Sequence, residues 1–264
     1  RDFIDCDEFV DMGYELAFSG SLPIEIDVNI TFNDAAVPGN NPNKILDRDI
    51  LIEDGGSLTL EGINLMILEG TVNPIKITVE QGGTLIIKCS STSPTNLFAC
   101  GAMWQGIVNL GGDIFINEAC SGKEPEIWDA ETAISSTGGK VDLRYAQFNE
   151  NYIGVKLKDG NFVSPGTPIA IRAVDFNASG GVISKEPHMG KESFAHIILD
   201  NVADIVIGEV SSSNQATFTN KLYKSVYGIR SQNSNFNIVN SSFENMVRGI
   251  DYEFSPGRFT TPNI

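Results

Sequence analysis

The sequence predicts an all-β protein, a right-handed parallel β-helix in which short strands wind as successive coils around one apolar core. Two internal matches indicate this fold. Ile50–Leu60 (ILIEDGGSLTL) superposes on Ile77–Ile87 (ITVEQGGTLII) at an offset of 27 residues. Ala133–Val155 superposes without a gap on Gly228–Ile250, and in both copies a small residue followed by an aliphatic one recurs after 21 residues. Fixed offsets with strand-like alternation are typical of a solenoid, in which each unit buries its apolar face only by stacking on the next.

Residues 1–48 carry no repeat, so the predicted β-helix spans residues 49–264. Within the first segment, Ile24–Phe32 (IEIDVNITF) alternates as a half-buried strand. A solenoid needs a cap, because an uncovered end exposes a sheet edge and the core. We therefore expect residues 1–48 to form an irregular N-terminal cap or the end of a preceding module.

From residue 49 onward, short β-rich runs follow one another and helical periodicity is almost absent. A rhythm of three strands predicts coils of roughly 21 to 29 residues and about eight or nine coils, hence a rod of about 40 Å at the ~4.8 Å strand spacing. Two segments, Cys120–Asp129 and Gly180–Phe194, are predicted to be loops that leave the stack. The predicted strands are 50–53, 57–60, 63–68, 75–79, 84–88, 106–109, 113–117, 140–144, 153–157, 168–172, 196–200, 204–207, 226–230, 235–239 and 248–252.

Other folds fit less well. A leucine-rich repeat would show LxxLxLxxN, and a left-handed β-helix would show a hexapeptide period; the sequence has neither. An antiparallel sandwich stays an alternative, but it does not predict gapless matches at 21 and 27 residues.

Four phenylalanines precede asparagine or a short segment that contains one: Phe148, Phe176, Phe218 and Phe243. The pattern predicts an inward aromatic side chain followed by a turn, since asparagine tolerates left-handed geometry. We favour this interpretation over the alternative, a row of exposed asparagine side chains that binds a sugar.

The composition excludes several classes of function. The chain has 34 acidic and 18 basic residues and a formal net charge of −16, which would repel a phosphate backbone and makes nucleic acid an unsuitable partner. It has no run of 18 apolar residues, so membrane insertion is not expected. Residues 1–12 lack the basic start and apolar middle of a signal peptide. We expect a piece of a mature, longer polypeptide.

The four cysteines, Cys6, Cys89, Cys100 and Cys120, lack CxxC spacing and nearby histidines, which argues against zinc. A Cys89–Cys100 disulfide would close a loop rich in serine, threonine and proline and stabilise the fold by about 3 kcal/mol in the loop-entropy model. Such a bond would imply export to an oxidising space. Buried free thiols are the alternative.

Several short motifs, in this order, resemble a known group of modules: GGSLTL, GGTLII, a cysteine, Trp104–Ile107 (WQGI), a small-aliphatic step and F-x-N-x-x-x-G-V. They resemble right-handed β-helix modules of large secreted surface proteins of gliding or filamentous bacteria that use type IX secretion. The resemblance covers about residues 49 to 252. It implies an extracellular, structural or adhesive role at the cell surface, and it supplies no catalytic residues.

Three aromatic side chains are candidates for contacting a ligand such as a surface glycan: Trp104, Trp128 and Tyr145. For Trp104 we favour a packing role, in which WQGI starts a strand, the indole covers a corner and Gly106 permits close packing.

No catalytic site is predicted. A polygalacturonase-like site needs paired carboxylates, an Asp-Asp step and Gly-His-Gly, and the sequence has neither of these motifs. Fragments of a pectate-lyase-like site, such as Asp175 with Arg172, are more simply outward-facing pairs on a strand. The two histidines are His188 in a loop and His196 at a strand start. Neither has an obvious carboxylate or serine partner at a spacing that would indicate a catalytic site.

No cofactor is expected, although calcium stays an alternative, because carboxylate oxygens suit Ca²⁺. The acidic residues concerned are Asp2, Asp5, Asp7, Glu8 and Asp11, whose spacing matches no EF-hand. A solvated acidic surface is the favoured interpretation.

These observations predict a non-catalytic structural module of a large exported bacterial surface or filament protein, acting as a rigid rod for adhesion or assembly. Its expected partners are other modules of the same polypeptide or copies of itself, as a homo-oligomer. The alternatives are a carbohydrate-binding adhesin module and a polysaccharide lyase or hydrolase.

Overall fold

A computed structural model describes residues 13–17, 23–33, 41–70, 73–116, 120, 122–159, 170–203, 205–208 and 219–253. These residues form 24 β-strands and no helix, so this part of the chain contains no helical membrane span. All strand pairs are parallel. The strands build a β-helix with three faces.

The chain visits the faces in the same order in every coil. Face 1 contains β2 (Ile24–Ile26), β5 (Ile50–Ile52), β8 (Lys76–Glu80), β11 (Gly106–Leu110), β14 (Thr132–Ser136), β16 (Ile153–Lys158), β18 (Ala195–Asp200), β21 (Tyr227–Gln232) and β24 (Arg248–Glu253). Face 2 contains β3 (Asn29–Asn33), β6 (Ser57–Glu61), β9 (Thr84–Lys88), β12 (Asp113–Ile116), the first parts of β15 (Lys140–Asn149) and β17 (Ala170–Asn177), β19 (Ile205–Ile207) and β22 (Phe236–Ile238). Face 3 contains β1 (Glu15–Leu16), β4 (Asn43–Leu46), β7 (Asn64–Ile67), β10 (Asn96–Ala99), β13 (Glu126–Trp128), the last parts of β15 and β17, β20 (Asn220–Tyr223) and β23 (Ser241–Glu244).

The two long strands turn the corner between faces 2 and 3 without a loop. Tyr145 and Ala173 take φ angles of 55° and 52° there, which bends β15 and β17 onto the next face. Counted this way, the strands from β2 to β23 make eight coils of the described chain. The number agrees with the eight or nine coils that the sequence predicts.

The core consists of in-register rows of apolar side chains that run along the axis. On face 1 one row is aliphatic in nine successive strands and almost fully buried apart from its two ends. Because each side chain packs between those above and below it, burial in any coil depends on its neighbours. The row is Ile24, Ile50, Ile77, Ile107, Ile134, Val155, Ile197, Ile229 and Ile250.

The repeated Gly-Gly pairs are the turns between faces 1 and 2. Gly82 has a φ of 84°, a left-handed conformation that glycine adopts without a steric penalty. A Cβ on Gly83 would lie 2.6 Å from the Ile52 carbonyl oxygen of the preceding coil. Both glycines are therefore required, the first for its conformation and the second for the close approach of two coils.

The internal matches of the sequence are confirmed as stacking contacts. Ile50 pairs with Ile77, and Leu58 with Leu85, at the predicted offset of 27 residues. Ile229 pairs with Ile250 at the offset of 21. The parallel β-helix is therefore confirmed. Its right-handed sense stays a prediction. The strong preference of parallel crossover connections for the right-handed sense supports it.

The predicted boundary at residue 48 is wrong in one respect. Strands β2, β3 and β4 pair in register with β5, β6 and β7, so the solenoid begins before residue 49. The sequence lacks a visible repeat here because this coil has no Gly-Gly turn. The predicted cap partly falls on residues 1–12, 18–22 and 34–40, which lie outside the described residues.

The sequence does not predict most strands of face 3. The segment Cys120–Asp129 was predicted to be a loop, but it contains β13, and the predicted Ser/Thr/Pro-rich loop before Cys100 contains β10. These strands have only three or four residues, and their outward positions do not alternate clearly between polar and apolar. Face 3 therefore has a weak sequence signal.

Candidate functional site

The outer surface of face 3 is organised in two rows of side chains that project from successive coils. The second row is the more informative, because its chemistry changes along the axis. Its members, from β4 onward, are Ile45, Met66, Phe98, Trp128, Asn149, Asn177, Tyr223 and Glu244.

The N-terminal half of this row is apolar and buried. Ile45, Met66 and Phe98 form a cluster separate from the core, with Trp128 packed against it. These side chains lie outside the coil, yet Met66 and Phe98 are only 0% and 5% exposed. This half of face 3 is thus a packing surface.

The C-terminal half of the same face carries a groove of about 300 Å³. Two outward side chains from each of four successive coils line it, together with Ser179 at the corner. We call this feature the groove; its outward side chains are Gln147, Asn149, Asp175, Asn177, Lys221, Tyr223, Ser242 and Glu244.

The groove is lined by two carboxylates, Asp175 and Glu244, and by one ammonium group, that of Lys221. The Asp175 carboxylate lies 3.4 Å from the Lys221 ammonium, measured from Oδ2 to Nζ. Burial raises the pKa of Asp175, while Lys221 opposes this shift and the charge of Glu124 adds to it. The pair places an acceptor and a donor side by side.

Two amide groups in the groove have unused hydrogen-bonding capacity. Asn149 is 3% exposed, and its Nδ2 has no hydrogen-bond partner among the described residues. The same holds for Oδ1 of Asn177, which is paired with Asn149 in the next coil. Unsatisfied buried polar groups cost about 1 to 3 kcal/mol each, so their presence calls for an explanation.

A second surface feature is the long corner segment 180–194, which we call the strap. It was predicted to be a loop, and it is one, but it lies back along the corners of earlier coils. Lys185 Nζ donates to the Ala99 carbonyl at 2.8 Å and lies 3.6 Å from Asp129 Oδ2. The His188 ring stacks on Tyr152 with centroids 3.5 Å apart. The strap therefore ties several coils together.

The three aromatic residues predicted to contact ligands do not form one surface. Trp104 is 1% exposed and donates from Nε1 to the Trp128 carbonyl at 2.8 Å, so its ligand-binding role is wrong and its packing role is confirmed. The close packing expected at Gly106 is confirmed as well, since a Cβ there would collide with the Thr132 carbonyl oxygen. Trp128 is partly buried on face 3, where Nε1 donates to Glu126 Oε2 at 2.6 Å.

Tyr145 lies at the corner between faces 2 and 3 and is also partly buried. It precedes Asn149, the coil neighbour of Trp128, by four residues, or about 13 Å of extended strand. Tyr145 and Trp128 therefore lie at opposite sides of face 3.

The sequence predicts that the asparagines after Phe148 and Phe176 are turn residues, and this prediction is wrong. Both phenylalanines point inward and stack with centroids 5.0 Å apart, as expected, but Asn149 and Asn177 are the next, outward positions of the same strands. The recurring Phe-Asn step is thus a signal for face 3, and it could have located the groove. Phe218 lies outside the described residues.

The predicted Cys89–Cys100 disulfide is wrong, because Cys89 is bonded to Cys120. Strands β9 and β12 are neighbours, so the residues after them leave face 2 at the same corner, with Cα atoms 6.1 Å apart. Cys100 lies beyond β10, across the width of face 3, and is disulfide-bonded as well.

The two histidines lie where the sequence predicted, in a loop and at a strand start. His196 is 3% exposed, and its Nε2 lies 3.0 Å from the Tyr223 carbonyl oxygen. Burial lowers the pKa of His196 to about 4, so the ring is neutral at pH 7. Burial also lowers the pKa of His188.

Among the described residues, no group of three or more histidine, cysteine or acidic side chains could hold a metal ion. The acidic residues considered for calcium, Asp2 to Asp11, lie outside the described residues, so that alternative stays untested. What the groove offers chemically is a set of hydrogen-bond donors and acceptors on a rigid sheet.

Comparison with known protein families, curated proteins and solved structures finds no match to this chain.

Proposed function

We propose that this chain is a non-catalytic structural module of a large exported bacterial surface or filament protein, in which it acts as a rigid rod for adhesion or assembly. The observation that carries the proposal is the aliphatic row of face 1, which continues through nine strands from Ile24 to Ile250. A continuous row resists bending, because any hinge between two coils would open a gap in close-packed side chains.

Export to an oxidising compartment, such as the cell surface, is supported by the disulfide chemistry. Cys89, Cys100 and Cys120 are all disulfide-bonded, and such bonds persist mainly in secreted or surface proteins. The motif order described above favours the same location.

Contacts with other modules or with copies of the chain are assigned to the strap. Insertions in solenoids collect on one side and often form the binding face. Val182 and Met189 on the strap are 49% and 54% exposed, which provides apolar contact area.

An in-register deletion tests the rod. Removing residues 50–76 joins Asp49 to Ile77 and omits one coil, because Ile50 and Ile77 occupy equivalent positions. In the producing bacterium, we expect this variant to fold, to reach the surface and to retain adhesion or filament formation. The matched control removes residues 50–63, which places successive coils out of register, and should abolish both.

Two results would overturn the proposal. One is retention of adhesion or filaments by the out-of-register deletion, since a rod cannot act without its stack. The other is release of reducing ends or unsaturated products when the purified chain is incubated with neutral and acidic polysaccharides. Either product would establish a lyase or hydrolase.

A further inference from the structure

We infer that the groove on face 3 binds a short neutral saccharide. This inference is independent of the rod proposal, because it rests on side chains that project from the sheet and not on the stack that supports them. The groove has a volume of about 300 Å³, at the lower end of the range for small-molecule sites, which suits one or two sugar units.

The two unpaired amide atoms supply the first argument. Nδ2 of Asn149 is a buried donor and Oδ1 of Asn177 is a buried acceptor, and the two residues are neighbours on adjacent coils. Neither group finds a partner among the described residues, and both line the groove. Both atoms are buried, so a ligand with a donor and an acceptor close together would satisfy both once the two amides turn toward the groove.

The remaining lining groups select the kind of ligand. Gln147, Asp175 and Ser242 supply acceptors, and Lys221 and Tyr223 add a charged donor and a hydroxyl on an aromatic ring. Each hydroxyl of a sugar both donates and accepts, so neighbouring hydroxyls match a surface where donors and acceptors alternate within a few ångströms. The ring of Tyr223 can cover the C–H face of a sugar, as amphipathic aromatic side chains do at binding sites.

Charge excludes the acidic ligand classes. Asp175 and Glu244 line the groove, and the carboxylate of Glu124 lies near enough to raise the pKa of Asp175. Lys221 is the single cation among the lining side chains, and it already lies beside Asp175. A uronic acid chain or a phosphate would meet more negative than positive charge there, in a chain whose net charge is −16.

A peptide fits less well than a saccharide. Peptides that bind to sheets usually add a strand at an exposed edge, where the main-chain groups of the sheet are unpaired. The groove lies on the face of four coils, and the strands β15, β17 and β20 are paired on both sides, whereas β23 pairs only with β20 and is the edge of face 3 among the described residues. Within the groove, recognition comes from side chains, and a peptide that extended the sheet would bind along the edge of β23 instead.

Titration calorimetry and saturation-transfer NMR on the purified full chain test this inference. The probes are neutral oligosaccharides of glucose, galactose, mannose and N-acetylglucosamine, together with oligogalacturonate and a pool of short peptides. We expect at least one neutral probe to bind and oligogalacturonate to bind at least ten-fold more weakly. Asn149→Leu and Asn177→Ala should each weaken binding at least ten-fold. Asn237→Ala, on the outer surface of face 2, is the matched control and should leave binding unchanged.

A cooperative thermal unfolding transition establishes that each variant is folded. If Asn149→Leu does not fold, saccharide binding by Lys221→Gln provides the second test. Absence of binding by every neutral probe would overturn the inference, as would unchanged binding in both asparagine variants. Preferential binding of oligogalacturonate or of peptides would also overturn it, because the assigned ligand class would then be wrong.

Discussion

The two halves of face 3 belong to one continuous parallel sheet but have different outer surfaces. In the N-terminal half the second outer row reads Ile45, Met66, Phe98 and Trp128, and the side chains pack into a separate apolar cluster. In the C-terminal half the same row continues as Asn149, Asn177, Tyr223 and Glu244, and these side chains line a groove.

The difference shows that the stack and the surface are independent. Inward positions of face 3 are apolar in both halves, as Leu97 and Ile127 in one half and Phe148 and Phe176 in the other. The coil therefore accommodates both an apolar and a polar outer row. We expect substitutions in the N-terminal half to change stability and substitutions in the C-terminal half to change ligand binding.

The largest expected effect is removal of the disulfide in the N-terminal half. Cys89→Ser with Cys120→Ser opens a bond that spans 31 residues, which should lower the free energy of unfolding by roughly 3 to 4 kcal/mol in the loop-entropy model. Denaturant unfolding of the oxidised protein and the double variant measures the difference. Saccharide binding should be retained, and its loss in a folded variant would show that the two halves are coupled.

Truncation in the outer row should give the next largest effect. Phe98→Ala removes a side chain that is 5% exposed and should lower the free energy of unfolding by about 3 kcal/mol. The matched variant is Tyr223→Ala at the corresponding position of the other half, with an expected loss of about 1 kcal/mol or less. Chemical denaturation compares them, and equal losses would remove the distinction between packing surface and groove.

Acid sensitivity is expected from the buried His196 of β18, whose ring contacts the C-terminal half of face 3 at the Tyr223 carbonyl. Its pKa is lowered from 6.5 to about 4 by burial, so the unfolded chain binds a proton that the folded chain does not. The contribution of neutral His196 to the free energy of unfolding is complete above pH 6.5 and is lost as the pH falls toward 4. At pH 5 the expected loss is on the order of 2 kcal/mol.

Unfolding free energies of the wild-type chain and of His196→Gln between pH 4.5 and 7.5 check this prediction. The wild-type chain should show the additional pH dependence, and the variant should lack it. Parallel pH profiles would mean that His196 is protonated equally in both states.

The smallest expected effect is a gain in stability. Asn149→Leu extends the apolar row by one coil and removes an unpaired buried donor, which should raise the free energy of unfolding by about 1 kcal/mol. The same variant should lose saccharide binding. A loss of stability would show that the amide already has a partner that the substitution removes, contrary to the comparison of the two halves.

The sequence alone predicted most strands of faces 1 and 2 from residue 50 onward, and the way their coils stack. Alternation in Ile50–Ile52 and Ile77–Val79 and the Gly-Gly turns are local patterns, and stacking repeats them at a constant offset. Because each coil must bury its apolar side on the next, a local pattern that recurs determines the register.

Only the tertiary structure decided the partner of Cys89, the coil formed by β2 to β4 and the groove. Each depends on which residues of different coils lie side by side, and coils of unequal length hide that correspondence in the sequence. The outer row of face 3 is the clearest case. Trp128 and Asn149 are 21 residues apart, yet they are neighbours in the sheet, because adjacent coils place their strands side by side.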